Sequence, residues 1–138
     1  MSLSSWLSER MRPLSLGERG ERAAARYLRR LGYHIITMRH RLRYGEVDII
    51  AVDEKTVVFV EVKTRRGEAL GRPAEAVNST RQARLTRAAL AYLSSNDLLE
   101  HASRFDVMEV IWPIEQRRPD VRHFINAFQA CGKGQFFS

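Results

Sequence analysis

The sequence predicts a mixed α/β fold in the order αβββαβ, with a mixed central sheet flanked by helices. Three observations lead there. Apolar residues recur at helical spacing in two long stretches, one before and one after a β-rich block. Within that block, three runs rich in valine and isoleucine are joined by short connections, which favours antiparallel pairing. The second helix separates the third strand from a fourth, so a crossover can set those two parallel. A chain of 138 residues accommodates this as one domain with a real core.

Each element has a local reason. Residues 1–15 form an N-terminal extension in which Leu3, Trp6, Leu7 and Met11 can line one helix face, either as an exposed arm or docked on the domain. The domain proper spans 16–130, and 131–138 is a tail. Ser15 and Glu18 read as a capping box for a helix over 16–31, with Ala24, Tyr27, Leu28 and Leu31 at helical spacing and Gly32 as the stop. Residues 33–38 are a strand, 39–44 a basic connector, and 46–52 a second strand. A tight turn at 53–55 leads into a third strand over 56–63. A loop over 64–73 follows, then a helix over 74–93 with a break and a new cap near Asn78, Ser79 and Thr80. Strands at 104–112 and 121–130 complete the sheet.

Hydrophobic residues make up 44% of the chain and charged residues 28%, the balance of an ordinary globular protein. No apolar run approaches membrane-spanning length. The N-terminus lacks the basic start and apolar block of a secretory leader. Cys131 is the sole cysteine, so no internal disulfide and no zinc spacing exist, and a reducing, cytoplasmic setting is expected. The formal charge is +7 and the pI about 10.3, almost entirely from arginine. Planar guanidinium groups suit phosphate, which points to a nucleic-acid partner. Wholesale replacement of lysine by arginine in a GC-rich genome produces the same composition, so charge raises that expectation without deciding it.

The third strand ends VFVEVK, which puts Glu61 and Lys63 on one face with Phe59 and turns Val58, Val60 and Val62 to the other. Alone, this is equally an ion pair at a strand end. The second strand brings Asp48 into an otherwise apolar run, and a hairpin can set it beside Glu61. Adjacent carboxylates repel unless a cation lies between them, and a hard divalent ion with oxygen ligands answers that need. A protonated or hydrogen-bonded acid pair is the alternative. Glu21 falls on the buried stripe of the first helix, either as a further metal or water ligand or in a salt bridge to arginine or to Lys63. Glu46 shares a face with Asp48 but reads as exposed or structural. Asp106 reads as a partner of Arg104, and His34, His40, His101 and His123 have no ligand spacing.

An acid on helix one, then Asp, then E-x-K on the next strand resembles the PD-(D/E)XK nuclease superfamily, and specifically its small bacterial YraN-like family. The segments carrying the resemblance are GERGERAAARYLRRLGY (17–33), RLRYGEVDIIA (41–51), VFVEVKTR (58–65), PAEAVNSTRQARL (73–85) and RFDV (104–107). Arg39 stands where asparagine is expected and Arg81 where lysine is expected. The resemblance implies a restriction-endonuclease-like fold, similar to archaeal Holliday-junction resolvases, with catalytic roles at Glu21, Asp48, Glu61 and Lys63. It also implies Mg²⁺ or Mn²⁺ held by Asp48, Glu61, the Val62 carbonyl and Glu21.

The expected chemistry is phosphodiester hydrolysis, with Lys63 at the attacking water or the phosphate. Arg39, Arg41, Arg43, Arg65, Arg66, Arg72 and Arg81 flank the site and are the candidate phosphate contacts, with DNA the favoured partner. No base-reading element is evident, so selectivity for nucleic-acid structure is expected over base sequence. Junction cleavage would require a homodimer with two sites. The rival is a module of the same fold that binds nucleic acid without cutting; a basic face that docks on an acidic protein is a weaker one.

Overall fold

Five β-rich runs assemble into one sheet in the order β1-β2-β3-β4-β5. In the computed structural model, which describes residues 2–42, 45–67 and 77–130, the elements are α1 (Leu3–Met11), α2 (Leu16–Arg30), β1 (His34–Leu42), β2 (Gly45–Asp53), β3 (Thr56–Arg66), α3 (Ser79–Ser95), β4 (Ser103–Trp112) and β5 (Asp120–Phe128). β1, β2 and β3 pair antiparallel, β3 and β4 pair parallel across the α3 crossover, and β5 returns antiparallel to β4. This is the mixed α/β architecture that the sequence predicts.

The two helices cover opposite faces. Ala24 and Leu28 of α2 pack on Ile49, Val58, Val60, Met108 and Val110. Leu85, Ala89 and Leu93 of α3 pack on Val47, Ile50, Phe59, Phe105 and Val107. The α2 start is the expected capping box: the Glu18 amide donates to Ser15 Oγ at 3.1 Å and the Ser15 amide to the Glu18 carboxylate at 3.3 Å. Its end is a Schellman turn on Gly32 at φ 95°, with the Tyr33 amide on the Leu28 carbonyl at 3.0 Å. Gly20 lets α2 approach the sheet closely, since a Cβ there would lie 1.9 Å from Thr64 Oγ1.

Three boundaries differ from the sequence reading. β1 continues through Arg39 to Leu42, across what reads locally as a connector, with a register shift between Ile35 and Thr37 and Arg39 in the left-handed region at φ 52°. β3 continues to Arg66 because its parallel ladder with β4 runs on to Arg66↔Trp112. Thr-Arg-Arg reads as loop by composition and is strand by pairing. α3 begins at Ser79 with Asn78 as its cap, the break the sequence suggests; residues 74–76 of the longer expected helix lie outside the described residues. No residue of α1 is buried, and Leu3, Trp6, Leu7 and Met11 are exposed, the arm rather than the docked helix.

Candidate functional site

The alternation of β2 slips at Asp48. Val47 lies in the core on the α3 side and Ile49 in the core on the α2 side, although they are two residues apart. The β2–β3 ladder, which starts at Asp53↔Thr56, ends at Ile49↔Val60. Beyond that point the Val62 amide, on β3, donates to Asp48 Oδ2 at 2.8 Å, so a side chain takes the bond the ladder relinquishes. From this switch the half-buried Asp48 reaches acids on both sides of the sheet.

On the α2 side, carboxylate oxygens of Glu21, Glu46 and Asp48 lie within 4.8 Å of one another. They line an open cleft of about 260 Å³ with Gly17, Arg39, Val62 and Thr64. Glu21 is 5% exposed, and Arg39 Nε donates to its Oε1 at 2.7 Å. Burial raises the Glu21 carboxyl above its ordinary value, and the Arg39 charge only partly offsets this. Arg41 lies 3.4 Å from the Glu46 carboxylate at the rim.

On the α3 side, Glu61 is 3% exposed and takes two bonds from Arg81, at 2.7 Å from Nε and 3.1 Å from Nη2. The Asp48 carboxyl also lies within reach of a hydrogen bond to Glu61. Burial, that bond and the negative charge of Glu61 push Asp48 up to about 8. Burial works against the charged form of Glu61 as well, but the Arg81 and Asp48 hydrogen bonds and the charges of Arg81 and Lys63 outweigh it and hold Glu61 below its usual value. Near neutral pH the two carboxyls therefore share one proton. An acid pair sharing a proton is the alternative to a metal-bridged one that the sequence leaves open.

The expected residues are thus distributed around the sheet. Asp48 contacts Glu61, and Glu21 shares a cleft with Asp48 across the sheet from the Glu61–Arg81 pair. Lys63 follows on β3, half-buried, close enough for its charge to act on Glu61. Of the arginines, Arg39, Arg41 and Arg81 pair with Glu21, Glu46 and Glu61, Arg66 is exposed, and Arg65 is only partly exposed. Arg43 and Arg72 lie outside the described residues.

Glu46 is the acid that sequence reading underrated. The shared face with Asp48 was the available signal, but the position of Glu21 above that face is a tertiary fact. Asp106 is structural, as its sequence context indicates. It is fully buried and accepts from Arg104 Nε at 3.0 Å, the Asn126 amide at 2.9 Å and, in the corresponding tautomer, His123 Nε2 at 2.7 Å.

A set of clustered carboxylates beside cationic side chains is able to hold a hard divalent cation and to act on an anionic substrate. Among the described residues no helix is long and apolar enough to cross a membrane. Residues 20–110 match a family model described as uncharacterised protein family UPF0102. The chain is similar to a UPF0102 protein of Rhodopirellula baltica, 46% identical over 125 residues covering 88% of this chain and 75% of the relative. It is 48% identical to one from Geobacter sulfurreducens over 114 residues, covering 83% and 88%. A third, from Symbiobacterium thermophilum, is 48% identical over 115 residues, covering 83% and 97%.

Proposed function

The chain belongs to the uncharacterised protein family UPF0102, and from that premise we propose that it is a divalent-metal-dependent nuclease of the cytoplasm, hydrolysing phosphodiester bonds with selectivity for nucleic-acid structure, DNA first. The observation that carries this reading is the position of Asp48, whose carboxylate lies within 4.8 Å of those of Glu21 and Glu46 in an open cleft. Burial and the neighbouring Glu61 push that carboxyl up. Clustered acids of this kind cost folding free energy unless cations compensate them, and a divalent ion would add to the neutralisation of Glu21 and Glu61 by Arg39 and Arg81.

The donor set fits Mg²⁺ or Mn²⁺, being all oxygen and clustered. Asp48, Glu21 and Glu46 would hold the ion, with the Val62 carbonyl as a further donor beside the same cleft and Glu61 as the donor across the sheet. A bound divalent ion supplies polarisation of the phosphodiester and a more acidic water. The chain's own groups do the rest. Arg81 keeps Glu61 ionised and in place. Lys63 orients the attacking water or stabilises charge developing on the phosphate. Arg41, Arg65 and Arg66 contact backbone phosphates on either side.

The test is incubation of pure protein with branched and linear DNA and RNA, in Mn²⁺ and in chelator, beside Asp48→Asn. Cleavage that needs the metal and Asp48 is the expected result. A second reading, nucleic-acid binding without cleavage, is favoured by the arginine pairing of Glu21 and Glu61, which already neutralises two of the acids. It replaces the first if the protein cuts nothing, binds Mn²⁺ no better than Asp48→Asn, and still binds DNA or RNA in a salt-sensitive way.

A further inference from the structure

Two arginines neutralise the buried acids, and they are held differently. Arg81 grips Glu61 with two bonds, and its own amide donates to the α3 cap Asn78 Oδ1 at 2.9 Å. Arg39 holds Glu21 by Nε alone, at 2.7 Å. Its side chain is 45% exposed against 34% for Arg81, and it lines the acidic cleft itself. Among the described residues its terminal nitrogens make no hydrogen bond, although Nη2 lies beside Gly17 at the start of α2. Its backbone sits at φ 52°, a left-handed region that arginine rarely adopts. A singly bonded, partly exposed guanidinium lies against the carboxylates a cation would use.

We propose that Arg39 is an exchangeable counter-ion of this site: it neutralises Glu21 in the free protein and turns to a backbone phosphate when nucleic acid arrives, freeing Glu21 for a divalent cation. The inference rests on the nuclease reading and adds to it a rule for loading. Metal and nucleic acid must then bind with positive coupling, because each displaces or recruits the same guanidinium. By linkage, the factor by which a duplex tightens Mn²⁺ equals the factor by which Mn²⁺ tightens the duplex. Arg81, bonded twice and rooted in the helix start, stays on Glu61.

The experiment measures free Mn²⁺ by electron paramagnetic resonance, titrating the full chain alone and with a 20-base-pair DNA duplex. Wild type, Arg39→Gln and Arg39→Asn are compared, the last because asparagine tolerates a left-handed backbone and so protects the fold. The expected result is about tenfold tighter Mn²⁺ binding by wild type when the duplex is present. Both variants should bind Mn²⁺ severalfold tighter than wild type in the absence of DNA, and gain less from the duplex. If the variants bind Mn²⁺ as wild type does or more weakly, or if their coupling equals that of wild type, Arg39 is a fixed structural partner and the proposal fails while the nuclease reading stands. If no form binds Mn²⁺ with or without DNA, both fall together.

Discussion

Asp48 accepts the Val62 amide at 2.8 Å where the β2–β3 ladder has ended, so one carboxylate both closes the sheet and opens the site. That dual role makes its protonation a stability variable. The folded carboxyl, at about 8, lies above its ordinary value of 3.8. Its contribution to stability is therefore fully present below about pH 4 and lost as pH rises through about 8.

Asp48→Asn should remove that loss. Asparagine can accept from Val62 through its carbonyl and donate to Glu61 through its amide, imitating the neutral acid. In chelator, the variant should exceed wild type by on the order of 2 kcal/mol at pH 8, less than the full shift would give because the carboxyl is half-buried in an open cleft. At pH 4 the two should converge. Urea unfolding of both proteins across this range measures the difference, and parallel profiles would refute it. The depressed Glu61 carboxyl acts in the opposite sense, adding stability at neutral pH that is lost as pH falls, and it is common to both proteins.

Arg81→Ala should leave Glu61 buried without its principal partner. A cost of about 2–4 kcal/mol is expected, and Glu61→Gln in the same chain should recover part of it. A double-mutant cycle by chemical denaturation gives the coupling. Additive effects would mean that the two bonds seen between these residues contribute nothing in solution.

Gly20→Ala introduces a methyl 1.9 Å from Thr64 Oγ1 and 2.7 Å from Thr64 Cγ2, so α2 must move off β3. The expected loss is about 1–3 kcal/mol. Adding Thr64→Ala removes those two atoms but leaves Thr64 Cβ 2.8 Å away, so rescue should be partial. Thermal melts of the single and double variants test this close approach, which also carries Glu21 into the cleft.

Lys63→Ala should separate binding from turnover. Lys63 is proposed to act at the water or phosphate, so Mn²⁺ affinity and DNA affinity should persist while cleavage falls by about 10²-fold or more. Equal loss of metal binding and cleavage would move Lys63 into a structural role.

Exposed Arg66 and the rim residue Arg41 should act through phosphate charge. Each alanine variant should weaken DNA binding with little dependence on sequence, and should lower the slope of log affinity against log salt by about 0.9. Fluorescence anisotropy at several salt concentrations reads this directly, and an unchanged slope would exclude either residue as a phosphate contact.

Periodicity in the chain determined the order of elements, the capping box at Ser15 and Glu18, the antiparallel triplet and the parallel β3–β4 pair, because those depend on local spacing and on connection length. It also singled out Asp48, Glu61 and Glu21, since charge in an apolar pattern is visible one residue at a time. The end of β3 was illegible, because Thr64, Arg65 and Arg66 become strand only by pairing with Ile111, Trp112 and their neighbours on β4. The grouping of Glu46 with Glu21 was equally hidden, as it depends on how closely α2 approaches across Gly20. Tertiary structure alone decided that Asp48 sits where alternation slips, and so which acids it meets. A strand pattern assigns each residue one face, whereas the break in the β2–β3 ladder lets this carboxyl touch Glu61 and still join Glu21 and Glu46 on the other side.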